Sequence, residues 1–439
     1  MGDARHALAG TLALLALTTA GLFLLALVGD RSGQPVVGPV SGVDPPTNLD
    51  PDRLLRIAAD RLPKVAARVE RIRGLEFDRI PKPRISDAAD RRRLAERELE
   101  RPRVKRRLRE EEVQLRILAL LDDGESVEQV AKDSTALAAA YYDTRRRGTL
   151  FLVGDAVPAG PEVTEFILAH ELTHALEDQR FGLRDSAKVT GDSGLARSAF
   201  HEGTASAVMQ VYAAEHLDRL NLIAEAGAVD TGDVELPAFV EAQVEFTYGA
   251  GARFVEVLRE YAKGWGLVDY AFAKRKLSTT EQILHPEKYI AGEEALDVPV
   301  PRSPGREWSR SDTGTIGEWA TRQLLTEGNP GIGASIAAAG WGGDRYALFE
   351  REGARASCVA DCLRHHGMAL HWRYDSAAEA KELERELRVY VEQALEGEPS
   401  GNRWKLEAGW ASLQRSGDRL GLGLGPDPRV TDRLGRPPR

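Results

Sequence analysis

The sequence predicts an α+β protein, mostly helical, in which a larger domain with a small edge sheet precedes a smaller C-terminal α+β unit. Three observations lead to this class. Apolar residues recur at helical spacing through most of the first 335 positions. Two short runs, Tyr141-Tyr142-Asp143 and Thr149-Leu150-Phe151-Leu152-Val153, are β-branched and aromatic and flank a polar turn with Gly148, which reads as a strand pair. Near the end, alternation in Leu370-His371-Trp372-Arg373-Tyr374 gives a strand. A helix from about Ser376 to Leu395 follows, and Trp410–Leu413 and Leu420–Leu424 form a closing hairpin around Ser416-Gly417-Asp418.

Taken in order, residues 1–30 contain an uncharged run from Ala7 to Gly29, about 23 residues and long enough to span a bilayer core. It reads as a transmembrane anchor or a signal, the anchor being favoured by its length and by a poor small-residue cleavage site. Residues 31–48 form a Gly/Pro/Val-rich linker. Residues 49–139 are rich in helix formers, with opposite charges three and four apart, which predicts a solvated helical region anchored by Ile117-Leu118-Ala119-Leu120-Leu121. Residues 140–335 hold the strand pair and the chemistry-bearing helices, and Pro237–Lys263 supplies helices that enclose a cleft. Residues 336–425 are the small α+β unit, and 426–439 are expected to be a disordered tail.

The chemistry is concentrated in Ala169-His170-Glu171-Leu172-Thr173-His174-Ala175. Pro161 after Gly160 suits a first helical position, and Glu162 and Glu165 complement the positive helix end. On that helix His170 and His174 lie one above the other and can grip one metal ion, with Glu171 beside it. Leu168, Leu172, Ala175 and Leu176 make the apolar face, which leaves the ligands at its edge. A catalytic zinc commonly keeps three protein ligands and leaves the fourth position to water. A second helix carries His201 and Glu202 side by side, and either residue type can serve, but only one can point at the ion.

This HExxH helix, followed by Asp178 and a second helix with a Glu, resembles the active-site segment of thermolysin-like gluzincin zinc metallopeptidases. The wider pattern, including Thr280-Glu281-Gln282-Ile283-Leu284-His285-Pro286, is similar to uncharacterised membrane-anchored bacterial metallopeptidases. The resemblance implies a zincin-like catalytic domain with Zn2+ held by His170, His174 and Glu202, and Glu171 as general base. Where that family has an Asp one turn after the ligand Glu, this chain has Ser206, and Asp178, one turn beyond His174, becomes the candidate partner of a zinc-bound histidine. His285, or Tyr289 after it, is the candidate donor to the oxyanion, in a role that a His fills in thermolysin.

The function expected is that of a membrane-anchored, extracytoplasmic zinc peptidase acting on a peptide or protein substrate, single-pass in the cell membrane. Strand Thr149–Val153 would be the edge along which the substrate lies. The alternatives are a catalytically inactive zinc-stabilised scaffold or binding protein, and a zinc hydrolase of a non-peptide amide or ester. A net charge of −9 argues against general nucleic-acid binding. Cys358 and Cys362 suggest a disulfide, with a second metal site involving His365 and His366 as the alternative; His216 reads as a packed or solvated side chain.

Overall fold

The computed structural model describes residues 50–438, apart from 123, 134–138, 145–147, 155–156, 158–159, 184–190, 227–235, 354–357 and 359–360. The protein is a mostly helical α+β molecule. It begins with α1 (Pro51–Arg73), β1 (Pro83–Ser86), α2 (Ala88–Leu99), α3 (Pro102–Ile117), α4 (Val127–Asp133), β2 (Ala140–Asp143) and β3 (Thr149–Val153). The helical layer follows: α5 (Pro161–Phe181), α6 (Asp192–His216), α7 (Arg219–Ala226), α8 (Ala238–Glu245), a π-helical turn Phe246–Ala250, α9 (Gly251–Ala262), α10 (Gly266–Ala273), α11 (Thr280–Leu284) and α12 (Pro286–Ala291). The remainder is β4 (Trp308–Gly314), α13 (Gly317–Gly328), α14 (Ile332–Ala339), β5 (Trp341–Arg351), β6 (His366–Tyr374), α15 (Ala377–Gln393), β7 (Glu398–Ser400), β8 (Arg403–Lys405), β9 (Trp410–Ser416), β10 (Arg419–Gly425) and α16 (Pro428–Leu434).

Helix α5 starts at Pro161 behind Gly160 and stops at Gly182, whose φ of 74° accepts the left-handed turn that closes a helix. It is not the half-buried helix its apolar pattern suggests, because every residue from Val163 to Thr173 is buried. The reason lies in α1, which packs along one side of α5 while α6 covers the other. Asp50 caps α1 by accepting from the Arg53 N–H. The apolar stripe of Leu54, Ala58, Leu62, Val65, Ala66 and Val69 then goes into the same core as Phe166, Leu168 and Leu172. Its charges are also used: Arg61, Lys64 and Arg68 gather around the buried Glu165, and fully buried Arg73 donates to Glu177 at 3.0 Å. This first part of the charged region is therefore packed structure as well as solvated face.

The small sheet has the order β1-β3-β2. Strand β3 pairs with β1 in parallel and with β2 antiparallel. Thr149–Val153 is thus central, which corrects its expected role as a free edge for an extended substrate. Backbone groups on both of its sides are already taken by neighbouring strands.

The large sheet is wholly antiparallel, in the order β4-β5-β6-β10-β9-β8-β7. It takes in Trp308–Gly314, on the earlier side of the expected division at residue 335. Its apolar face shares one core with α3 and the outer side of α6, and the Tyr390 hydroxyl donates to the Leu118 carbonyl at 2.8 Å. The end of the chain is ordered, contrary to the disordered tail expected there. Asp427 caps α16, and Val430, Thr431 and Leu434 are buried against the sheet. Cys358 and Cys362 are joined by a disulfide.

No helix among the described residues is long and apolar enough to cross a membrane. That finding corrects the expected single-pass membrane protein and the localisation resting on it; the run from Ala7 to Gly29 lies outside the described residues.

Candidate metal centre

Two packed helices make the site. Helix α5 brings His170 and His174 to one face, and α6 crosses beside it with Glu202. His170 Nε2 lies 3.1 Å from Glu202 Oε2 and 3.1 Å from His174 Nε2, and His174 Nε2 lies 3.4 Å from Glu202 Oε2. With zinc–ligand distances of about 2.0–2.1 Å, the edges of a coordination tetrahedron measure about 3.3–3.4 Å, so the three atoms have the spacing of one tetrahedral face. Two imidazoles and a carboxylate are also the donor types zinc favours. His170 and Glu202 are buried, and His174 keeps a partly exposed side.

The electrostatics follow from putting these groups in a dry place. Burial works against charge on His174, but the Glu202 carboxylate beside it prevails and raises its pKa to about 9. Burial likewise works against Glu202, yet the His174 charge and hydrogen bonds from both histidines hold it well below the usual carboxylate range. Glu171 faces the opposite balance. Burial pushes its carboxyl up, His170 and His174 pull it back, Glu202 adds repulsion, and the Tyr142 backbone N–H on β2 donates to it. A buried carboxylate with a raised pKa is suited to taking up a proton.

His201 points elsewhere. Its ring stacks on Phe272 at 5.2 Å, and burial drives its pKa down to about 3. Of the adjacent pair, Glu202 is therefore the residue that meets the histidines. Asp178 accepts from the Tyr142 hydroxyl at 3.1 Å and from the Leu183 N–H at 2.9 Å. His170 Nδ1 and Ser206 Oγ are both buried without a hydrogen-bond partner among the described residues.

The expected oxyanion donors are occupied as well. His285 bonds Glu318 through Nε2 at 2.8 Å, and that bond raises its pKa. The Tyr289 hydroxyl donates to the Arg275 carbonyl at 2.8 Å. Helix α11, which leads into His285, is fastened to the start of α6 by the Thr280 N–H donating to Asp192 at 3.0 Å. Glu202 lies ten residues further along α6, about 15 Å at helical rise. Sequence reasoning missed the residue that does adjoin the ligands, Tyr248. Burial and the nearby Glu202 carboxylate push its phenol up, and its ring lies 6.4 Å from that of His170. It sits on the π-helical turn, where the 3.6-residue period used to read the sequence does not apply. A second carboxylate group, Glu281, Glu293 and Asp375, surrounds the Lys288 ammonium at 2.6, 3.0 and 3.0 Å, so a side chain of this protein already occupies its centre.

A family model described as a domain of unknown function, DUF8575, matches residues 306–434. This is the stretch from just before β4 to the end of α16, and it contains the large sheet but none of the three converging ligands. No curated protein matches the chain. Among solved structures, the chain is similar to a protein from Chloroflexus aurantiacus described as a "putative hydrolase with a novel fold", at 16% identity and a TM-score of 0.36, over 65% of this chain and 98% of that one. At that score the likeness carries no argument about this chain.

Proposed function

We propose that the chain is a zinc-dependent hydrolase of peptide bonds, of gluzincin type, with His170, His174 and Glu202 holding the ion and Glu171 as general base. The observation that carries the reading is the convergence of two histidine nitrogens and one carboxylate oxygen within 3.1–3.4 Å of one another on two buried helices. When bound, zinc would supply Lewis acidity toward water and the substrate carbonyl. Glu171 then has a defined part. Its carboxylate removes a proton from the attacking water as the new C–O bond forms, and returns that proton to the amide nitrogen as the C–N bond breaks. One water is consumed, leaving a carboxylic acid and an amine. Tyr248 lies beside Glu202, and the Tyr142 N–H orients Glu171.

The reading is tested by presenting quenched-fluorescent peptide libraries to the zinc-loaded protein and to Glu171→Gln. Hydrolysis by the first, falling by about a thousandfold or more in the variant while zinc content is unchanged, is expected from loss of the base. Equal turnover by the two would remove Glu171 from that role.

A further inference from the structure

The ligand stripe of α5 does not stop at His174. Glu177 lies seven residues beyond His170 and three beyond His174, so all three side chains share one face of the helix. At that spacing the Cβ atoms of His174 and Glu177 are about 5–6 Å apart, and a long side chain on a helix leans back toward the N-terminus, here toward His174. The Glu177 side chain is wholly buried. Its Oε1 accepts from Arg73 Nε at 3.0 Å, while Oε2, also buried, has no hydrogen-bond partner among the described residues.

Arg73, the last residue of α1, is buried as completely and held from several sides. Its guanidinium lies 4.5 Å from the centre of the Trp265 ring, and Nη1 is 2.7 Å from Asp269 on α10. The Trp265 indole N–H donates in turn to the Ile72 carbonyl at 2.6 Å. Glu177 is thus fixed from outside its own helix. A buried ion pair holds a fold no better than well-packed apolar side chains of similar size, and this one leaves a carboxylate oxygen idle beside a metal-ligand candidate. The two neighbours also act on each other. Burial pushes the Glu177 carboxyl up to about 7, against the pull of Arg73 and then of His174, and Glu177 is among the carboxylates that raise His174.

We propose that Glu177, held by Arg73, is a positioning residue for the metal, supporting His174 from the end of the stripe opposite His170. The proposal rests on the zinc reading above. A carboxylate behind a metal-bound histidine fixes its ring and makes it a better donor, and losing it costs about 10–100-fold in metal affinity. Asp269 supplies the control, because it meets the same guanidinium without lying on α5.

The test is chelator competition for zinc at pH 8 on the full chain, beside urea unfolding of the zinc-free protein. Glu177→Gln keeps the shape and an acceptor for Arg73 but carries no charge, and is expected to bind zinc about tenfold or more weakly. Glu177→Asp, which keeps the charge, should recover part of the loss, and Asp269→Asn should leave zinc affinity as it is. Zinc affinity that merely follows the urea midpoint through all three variants, or wild-type affinity in Glu177→Gln, overturns the proposal and leaves the zinc reading standing. If Glu177→Gln does not fold, Glu177→Asp is read against Asp269→Asn: weaker zinc in the first supports the proposal, and equal affinity overturns it. A wild-type chain that binds no zinc removes the zinc reading and this proposal with it.

Discussion

His174 and Glu171 are three positions apart on one helix, yet their surroundings favour the charged form of the first and the neutral form of the second, and His174 makes a prediction about protons. Without metal, His174 has its pKa raised from 6.5 to about 9. The sign follows: its pairing with Glu202 contributes stability in full below pH 6.5, and that contribution is lost as pH rises through about 9. Zinc competes with the same proton, so its apparent affinity should rise by about tenfold per pH unit between pH 7 and 9. Chelator-competition titrations at three pH values would check this, and a flat profile would separate His174 from the ion. His170 offers a second test. Its Nδ1 and the Ser206 hydroxyl are buried and have no hydrogen-bond partner among the described residues, whereas a metal-bound histidine usually gives that N–H to a carboxylate. Ser206→Asp should therefore tighten zinc by about tenfold or more; weaker binding in a variant that still folds would show that the two groups do not meet.

At the level of elements, the site depends on how closely α6 can approach its neighbour. A Cβ on Gly203 would come within 2.2 Å of the Gly251 carbonyl carbon, and one on Gly251 within 2.0 Å of the Ala199 carbonyl oxygen. Only backbone against backbone fits here, and this contact sets Tyr248, three residues before Gly251, against Glu202, next to Gly203. Gly203→Ala should cost about 1–3 kcal/mol, as overpacking does, and also weaken zinc binding; a urea midpoint equal to the wild type's would contradict it. This crossing explains what the sequence left unread. The HExxH spacing and helical period made His170, His174 and Glu171 legible, because those relations are local. The choice of Glu202 over His201 rested on a resemblance; in the fold Glu202 lies beside the two histidines and His201 stacks on Phe272. Tyr248, the central position of β3 and the second face of α5 depend on contacts between distant segments, and no local pattern encodes them.

For the whole molecule, the division into a charged helical region, a central domain and a small C-terminal unit describes the chain better than it describes the packing. One core cluster runs from Leu99 and Leu108 through Phe200 and Phe254 to Trp372 and Leu424. Gln114 on α3 donates to Asp312 on β4 at 2.7 Å, joining the first part of the chain to the sheet. The mostly helical α+β class was readable from periodicity, as were β6, α15 and the β9–β10 hairpin. The helix Pro428–Leu434 was not, because seven residues with few apolar side chains form a helix there only by capping with Asp427 and docking on the sheet. A shared core predicts that heating the zinc-free protein gives one cooperative transition across residues 50–438, followed by calorimetry with hydrogen exchange. Two separate transitions, with the sheet unit melting alone, would contradict it.

The central claim is that His170, His174 and Glu202 hold one zinc ion. Elemental analysis of the purified protein beside His174→Ala and Glu202→Ala tests it directly. The account predicts about one zinc per wild-type chain and loss of the ion in both variants, since a three-ligand site does not survive removal of a ligand. No zinc in the wild type after reconstitution at neutral pH, or full retention in Glu202→Ala, would contradict it.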